Sequence, residues 1–120
     1  MQRKTISINI LEKDVIDKLL EKKTKINRLL REQFTKALVV NRWFSGSGFF
    51  TSFQIADDSP IIESQRSFQI DGLDGKVNNI DVGFILFIEK GKLKTLEGFT
   101  YYGEWPEKIM NYELFYEKYN

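Results

Sequence analysis

Apolar residues recur at helical spacing along the first third of the chain, with charged residues between them. The first stripe consists of Leu11, Val15, Ile16, Leu19 and Leu20. The second stripe consists of Ile26, Leu29, Leu30, Phe34, Ala37 and Leu38. Ser7 or Asn9 before the first stripe and Thr24 before the second are candidate N-caps, because their side-chain oxygens accept backbone N–H groups. The pattern predicts two helices, at about 10–22 and 25–36.

From Leu38 onward the pattern changes, and β-branched and aromatic residues alternate with turn residues. Residues 37–44 and 49–55 predict one hairpin, since a glycine-containing turn separates them. Residues 81–89 and 92–101 predict a second hairpin, which is the clearest one in the sequence.

The chain between and after these hairpins is less regular. Residues 66–70 and 76–80 are weaker strand candidates on either side of a turn predicted at Asp71–Gly75. The tail, 109–119, alternates well enough to predict a last strand, with a helical tail as the alternative. One side of that strand would carry Tyr112, Leu114 and Tyr116, and the other Glu113, Phe115 and Glu117.

Helices first and hairpins afterwards indicate an α+β fold with an antiparallel sheet rather than alternating βαβ units. We expect a single domain, residues 1–120, in which 1–37 are helical and 38–120 form mostly antiparallel sheet. A chain of 120 residues can bury a core without disulfides. Two N-terminal helices would cover one face of five or six strands and leave the other face, or one edge, available.

The composition removes most catalytic chemistry, because the chain has no cysteine and no histidine. Thiolate nucleophiles, imidazole dyads and the usual zinc sites are therefore excluded. Gly46-Ser47-Gly48 lacks the residues of a phosphate loop, and Asp71–Gly75 lacks the distal glutamate of a calcium loop. Glu97 and Asp81 are the carboxylates that a hydrolase would use, and they form the enzymatic alternative. We expect a protein that is not an enzyme and holds no cofactor or metal.

The net charge of +1 conceals an uneven distribution. Residues 1–60 hold 11 basic and 7 acidic residues, whereas residues 61–120 hold 7 basic and 10 acidic residues. Positive charge is concentrated between Lys22 and Arg42, which permits an alternative function as a nucleic-acid-binding regulator. Nucleic acid is the less favoured partner, because the domain as a whole is not basic.

All five tyrosines lie in the last 20 residues, interleaved with glutamates. Aromatic residues are favoured at protein interfaces, and carboxylates around them attract a basic partner. Packing of the same rings into the core is the alternative. We predict that this segment forms a surface for a protein partner. If the last strand lies at a sheet edge, a partner can contact both of its faces. The candidate residues are Tyr101, Tyr102, Glu104, Tyr112, Glu113, Tyr116 and Glu117.

We expect a cytoplasmic protein with no membrane partner. No apolar run approaches the length of a membrane span. The short apolar stretch near the start is followed at once by Glu12-Lys13-Asp14, which is not typical of a signal peptide. The lack of cysteine fits a reducing compartment. The oligomeric state is left open.

Residues 82–106, together with the aromatic-glycine hairpin in 42–53, resemble a group of small bacterial proteins. The shared pattern is roughly Gly-Phe-x-Leu-Phe-Ile-x-x-Gly-x-Leu, then Leu-Glu-Gly-Tyr/Phe-Thr-Tyr, then Glu-Trp-Pro. Members of this group resemble immunity proteins of contact-dependent growth inhibition and related polymorphic toxin systems. The resemblance implies a non-enzymatic protein that binds and neutralises a cognate toxin domain, often a nuclease.

Overall fold

Two helices precede an antiparallel sheet in the computed structural model, which describes residues 4–116. The helices are α1 (Ile8–Leu19) and α2 (Lys25–Thr35). The strands are β1 (Leu38–Phe44), β2 (Gly48–Gln54), β3 (Phe68–Val77), β4 (Ile80–Glu89), β5 (Lys92–Thr100) and β6 (Tyr112–Tyr116). Their spatial order is β1-β2-β5-β4-β3-β6, and every pairing is antiparallel. The predicted α+β class is confirmed, with six strands in the described range.

Each helix begins directly after a residue that the sequence pattern predicts as its N-cap. The Ser7 side chain accepts the backbone N–H of Asn9 at 3.3 Å, and that of Thr24 accepts the N–H of Asn27 at 3.0 Å. Each contact satisfies one backbone donor that the first turn of a helix leaves without a partner. Helix α1 ends at Leu19, three residues before the predicted end.

The core lies between the helices and one face of the sheet. Alternate residues of β4 are buried there, namely Val82, Phe84, Leu86 and Ile88. Leu11 and Ile16 of α1 and Leu30 of α2 belong to the same buried cluster. Because side chains of a strand alternate between its two faces, this packing assigns the remaining residues of each strand to the opposite side.

The turn predicted at Asp71–Gly75 is wrong, because this segment lies inside β3. The register between β3 and β4 shifts between Ile70 and Leu73, where Gly72 has a φ of +91°. Asp-Gly here accommodates a β-bulge, since glycine adopts positive φ without strain. The reversal of the chain comes instead at Asn78-Asn79, whose φ angles are +51° and +68°. Asparagine tolerates this left-handed region better than most residues.

Two buried polar side chains fix the helices on the sheet. Glu12 of α1 is 3% exposed and accepts two hydrogen bonds from the Arg42 guanidinium, at 2.7 and 3.1 Å, and one from the Thr51 hydroxyl. Gln33 of α2 is fully buried and donates to the carbonyl of Gly91 at 3.0 Å while accepting the N–H of Leu93 at 2.8 Å. Each polar group therefore has partners, as burial requires.

We predict that Arg42→Met lowers the free energy of unfolding by about 3 kcal/mol, because it leaves the buried Glu12 carboxylate without its counterion. Lys36→Met is the matched control. Its ion pair with Asp58 spans 3.4 Å and is largely exposed, so its loss should cost less than about 1 kcal/mol. Urea unfolding of both variants measures the difference, and equal costs would contradict a stabilising role for the buried pair.

Candidate protein-binding face

The side of the sheet away from the helices, here called the open face, carries aromatic and acidic side chains. No helix or strand among residues 4–116 packs against it. The register aligns Trp43, Phe50, Glu97 and Ile85 in one row across β1, β2, β5 and β4. A neighbouring row contains Phe99, Gly83, Asp74 and Phe115. A third row contains Asp81, Lys76 and Glu113.

An aromatic stack lies at the β1 side of the open face. Trp43 stacks on Phe50 with ring centroids 5.7 Å apart and planes 25° apart, and 59% of Trp43 is exposed. Glu97 lies directly across the β2–β5 pairing from Phe50. Burial raises the pKa of the Glu97 carboxyl. A partly desolvated carboxylate beside a stack of rings is suited to a cationic side chain, which both groups attract.

An acidic cleft of about 380 Å³ lies at the β6 side of the same face. Its walls include Asp74, Asp81, Tyr101, Tyr102 and Phe115. The hydroxyl of Tyr101 donates to Asp74 Oδ1 at 2.5 Å, so its ring reaches from the end of β5 across β4 to β3. Tyr102 is 84% exposed.

Gly83 of β4 makes this arrangement possible. The rings of Phe99 and Tyr101 meet edge to face, with centroids 5.4 Å apart, above the backbone of Gly83. A Cβ atom at Gly83 would lie 2.6 Å from Cζ of Phe99 and 2.9 Å from the hydroxyl oxygen of Tyr101. Both distances are shorter than a Cβ atom allows, so a side chain at this position would displace the rings of Phe99 and Tyr101.

The structure divides the predicted site residues between two sides of the sheet. Tyr101 and Tyr102 line the acidic cleft, and Glu113 lies on the open face of β6. Glu104 is exposed in the segment after β5. Glu117 lies outside the described residues.

Tyr112 and Tyr116 lie instead on the helix side and attach β6 to α1. The Tyr112 hydroxyl donates to the carboxylate of Asp14, and the Tyr116 hydroxyl donates to the backbone carbonyl of Lys18 at 2.9 Å. The alternation predicted for the last strand is confirmed over 112–116, and β6 is an edge strand as the prediction required.

The partner-binding residues predicted from the sequence do not include Trp43, Phe50, Asp74 or Glu97. Alternation in β2 places Phe49 and Phe50 on opposite faces, which is a signal that the sequence contains. Alternation along a single strand does not determine the order of the strands in the sheet. Only the pairing of β2 with β5 places Phe50 beside Glu97.

Much of the motif that carries the family resemblance has a structural role. Gly98 leaves room for the ring of Phe49, because a Cβ atom at Gly98 would lie 2.3 Å from that ring. Trp105 packs edge to face against Phe49, with ring centroids 4.9 Å apart. The Thr100 hydroxyl hydrogen-bonds to the carbonyls of Ser47 and Gly103. Among the motif residues, Glu97, Phe99 and Tyr101 instead place their side chains on the open face.

The cations of the basic segment are partly engaged within the chain. Arg42 binds Glu12, Arg31 donates to the carbonyl of Leu20, and Lys36 pairs with Asp58. Lys22 and Lys25, with Arg66, border a separate groove of about 670 Å³ that also contains Glu21 and Asp71. Acidic side chains in the same groove weaken its attraction for phosphates.

The geometry does not place Glu97 and Asp81 as a catalytic pair. Glu97 lies opposite Ile85, four residues along β4 from Asp81. At a rise of ~3.4 Å per residue the two positions are roughly 14 Å apart along the strand direction. Carboxylate pairs that cleave glycosides lie about 5 to 9.5 Å apart.

Residues 4–116 contain neither a cluster of metal ligands nor a membrane-spanning helix. No cluster of three or more acidic, histidine or cysteine side chains there is arranged to hold a metal ion. In the same range no helix has the length and apolar character needed to cross a membrane.

Comparisons with known proteins do not assign the chain to a family. No family model, no curated protein and no solved structure matches it.

We predict that the free energy of unfolding decreases at alkaline pH, because the phenol of Tyr112 loses its proton. Burial, followed by the hydrogen bond to Asp14 and its charge, raises the pKa of Tyr112 from 10.0 to about 12. A phenol with a higher pKa in the folded chain stabilises that chain fully below pH 10, and the contribution is lost as pH rises to about 12. Tyr112→Phe should therefore show a shallower decline in unfolding free energy over this range.

Asp14→Asn supplies the companion measurement. It removes the negative charge that holds the phenolic proton but keeps an amide oxygen that can accept it, so the pKa of Tyr112 should fall part of the way toward its ordinary value while burial still raises it. Phenolate absorbance during an alkaline titration follows this shift. An unchanged titration in Asp14→Asn would show that the Asp14 carboxylate does not act on the Tyr112 hydroxyl in solution.

Proposed function

We propose that this protein is a non-enzymatic immunity protein, which binds and neutralises a cognate bacterial toxin domain through the open face of its sheet. The acidic and aromatic character of that face is the observation that carries the proposal. Exposed aromatic rings beside carboxylates are what a protein partner with a basic surface requires. The resemblance of residues 82–106 to small immunity proteins supports the same function.

The charges of the open face favour a basic partner. Asp74, Asp81, Glu97 and Glu113 lie there, with Lys76 as the one basic residue in the three rows that define the face. Lys76 lies 3.7 Å from Asp81, so it offsets part of that charge. The remaining negative potential would steer a basic toxin surface toward the sheet and speed its capture.

The two ends of the face suit different parts of such a partner. At the β6 side, a lysine or arginine side chain fits the acidic cleft between Asp74 and Asp81. At the β1 side, the Trp43–Phe50 stack offers an apolar platform of the kind that contributes most to protein interfaces. The proposed toxin therefore presents cationic side chains next to an apolar patch.

The proposal places the protein in the cytoplasm, where a toxin that has entered the cell acts. It assigns no catalytic step to the chain, in keeping with the lack of cysteine and histidine. Neutralisation then results from occupying the toxin surface rather than from chemistry.

Co-expression with the neighbouring gene product tests the function. We expect the reading frame immediately upstream to encode a large secreted protein whose C-terminal domain arrests growth when produced in a bacterial host. This protein should restore growth when produced together with that domain. Continued growth arrest, with both proteins present in soluble form, would contradict the proposal.

Binding rates measured with that toxin domain test the site. Tyr102→Ala should weaken binding roughly 30-fold through a faster dissociation rate, as expected for an aromatic side chain worth ~2 kcal/mol. Asp81→Asn with Glu113→Gln should mainly slow association at low salt, because it removes two charges that steer the partner.

Matched controls on the other side of the molecule separate binding from folding. Tyr112→Phe alters a tyrosine of the helix side, and Glu32→Gln removes an exposed charge of α2. Both should leave the affinity unchanged. A loss of affinity in the controls, with wild-type affinity in Tyr102→Ala, would move the binding site to the helices.

A further inference from the structure

Strand β1 lies at an edge of the sheet and exposes apolar side chains on both of its faces. It pairs with β2 on one side, and no described strand lies on the other. Its exposed apolar residues are Leu38, Val39, Val40, Trp43 and Phe44, with exposed fractions between 45% and 68%. Edge strands usually carry lysine, proline or a covering element, because bare edges pair with other chains.

The edge lacks the usual charge that would prevent such pairing. Arg42 is the only charged residue of β1, and its guanidinium is bound to Glu12 beneath the sheet. A bulge between Val39 and Asn41 interrupts the first half of the strand. The regular segment that a second strand can join is therefore 41–45.

The hairpin determines which backbone groups of this segment face outward. The N–H of Ser45 donates to the carbonyl of Gly48 at 2.9 Å, so these two residues form a hydrogen-bonded pair. Hydrogen-bonded pairs alternate with non-bonded pairs along an antiparallel ladder. Trp43 therefore directs its N–H and C=O toward β2, whereas Arg42 and Phe44 direct theirs away from the sheet.

We propose that β1 pairs with β1 of a second copy of this chain, antiparallel and around a two-fold axis at Trp43. In this register Arg42 of each copy exchanges two backbone hydrogen bonds with Phe44 of the other. The outward N–H and C=O groups of Arg42 and Phe44 are then hydrogen-bonded in both copies. The paired segment spans 41–45. An axis at Arg42 would instead extend the pairing into the bulge between Val39 and Asn41.

The side chains in this register are complementary. Trp43 faces Trp43 of the second copy in a non-hydrogen-bonded pair, where Cβ atoms lie about 4.5–5.5 Å apart. With the Trp43–Phe50 stack of each copy, four aromatic rings form one row across the two open faces.

The lack of unpaired charge on β1 favours a second copy over a basic partner at this edge. Because β1 carries no unpaired charge, it has no electrostatic preference for a cationic chain, in contrast to the open face. A five-residue pairing is small beside a standard interface, so the dimer should be a reversible one. The sheet would extend from six strands to twelve.

Sedimentation velocity over a dilution series tests the dimer. The wild-type protein should shift from twice the 14.1 kDa chain mass at high concentration to a single chain on dilution. Trp43→Lys should remain a monomer at every concentration, since a charge at the axis repels its copy. Phe115→Lys is the matched control, because it places the same charge on an aromatic position of the opposite edge strand, and it should behave as wild type.

Cross-linking tests the register without removing Trp43. The two-fold axis places Asn41 opposite Ser45 of the second copy, and the native chain has no cysteine to interfere. A mixture of Asn41→Cys and Ser45→Cys proteins should form a disulfide-linked dimer on oxidation, whereas each variant alone should form little. Circular dichroism of every variant establishes that it is folded.

Three results would overturn the proposal. The first is a wild-type protein that stays monomeric at every concentration, which would leave the edge to a different chain. The second is a dimer that Phe115→Lys dissociates and Trp43→Lys does not, which would place the contact at β6. The third is cross-linking of the single cysteine variants to the same extent as their mixture.

Discussion

The ring of Phe49 packs directly on the backbone of Gly98, and the arrangement of the sheet depends on this contact. The two residues face each other across the β2–β5 pairing, where a Cβ atom on Gly98 would lie 2.3 Å from the ring. Trp105 closes on Phe49 from the segment after β5, and Phe84 packs against Trp105. One aromatic cluster thereby joins two hairpins that are far apart in the sequence.

The joining of these hairpins has consequences for both edges of the sheet. Since β2 is held against β5, its hairpin partner β1 is carried to one edge, with apolar residues on both of its faces. The second hairpin carries β3, and with it β6, to the other edge. The aromatic stack and the acidic cleft are therefore placed at opposite sides of a single face.

The helices determine which face of the sheet is covered and which stays exposed. Glu12 and Gln33 attach them to one side through hydrogen bonds that are buried and fully used. Each outer strand then has one face that stabilises the fold and one that remains open. In β6, Tyr112 and Tyr116 bind α1, while Glu113 and Phe115 face away from it. A surface built on paired strands is more rigid than one built on loops, which reduces the entropy lost on binding.

The sequence by itself determined the elements, because their signals are local. Apolar spacing predicted α1 and α2, the caps at Ser7 and Thr24 marked their starts, and alternation predicted the hairpins and the two sides of β6. It misplaced a turn at Asp71–Gly75, since Asp-Gly suits a bulge as well as a turn. The tertiary structure alone decided the strand order, and with it which residues share a face. It divided the C-terminal tyrosines between the cleft and α1, and it placed Glu97 beside Phe50. These neighbours result from packing between distant segments, which no local pattern encodes.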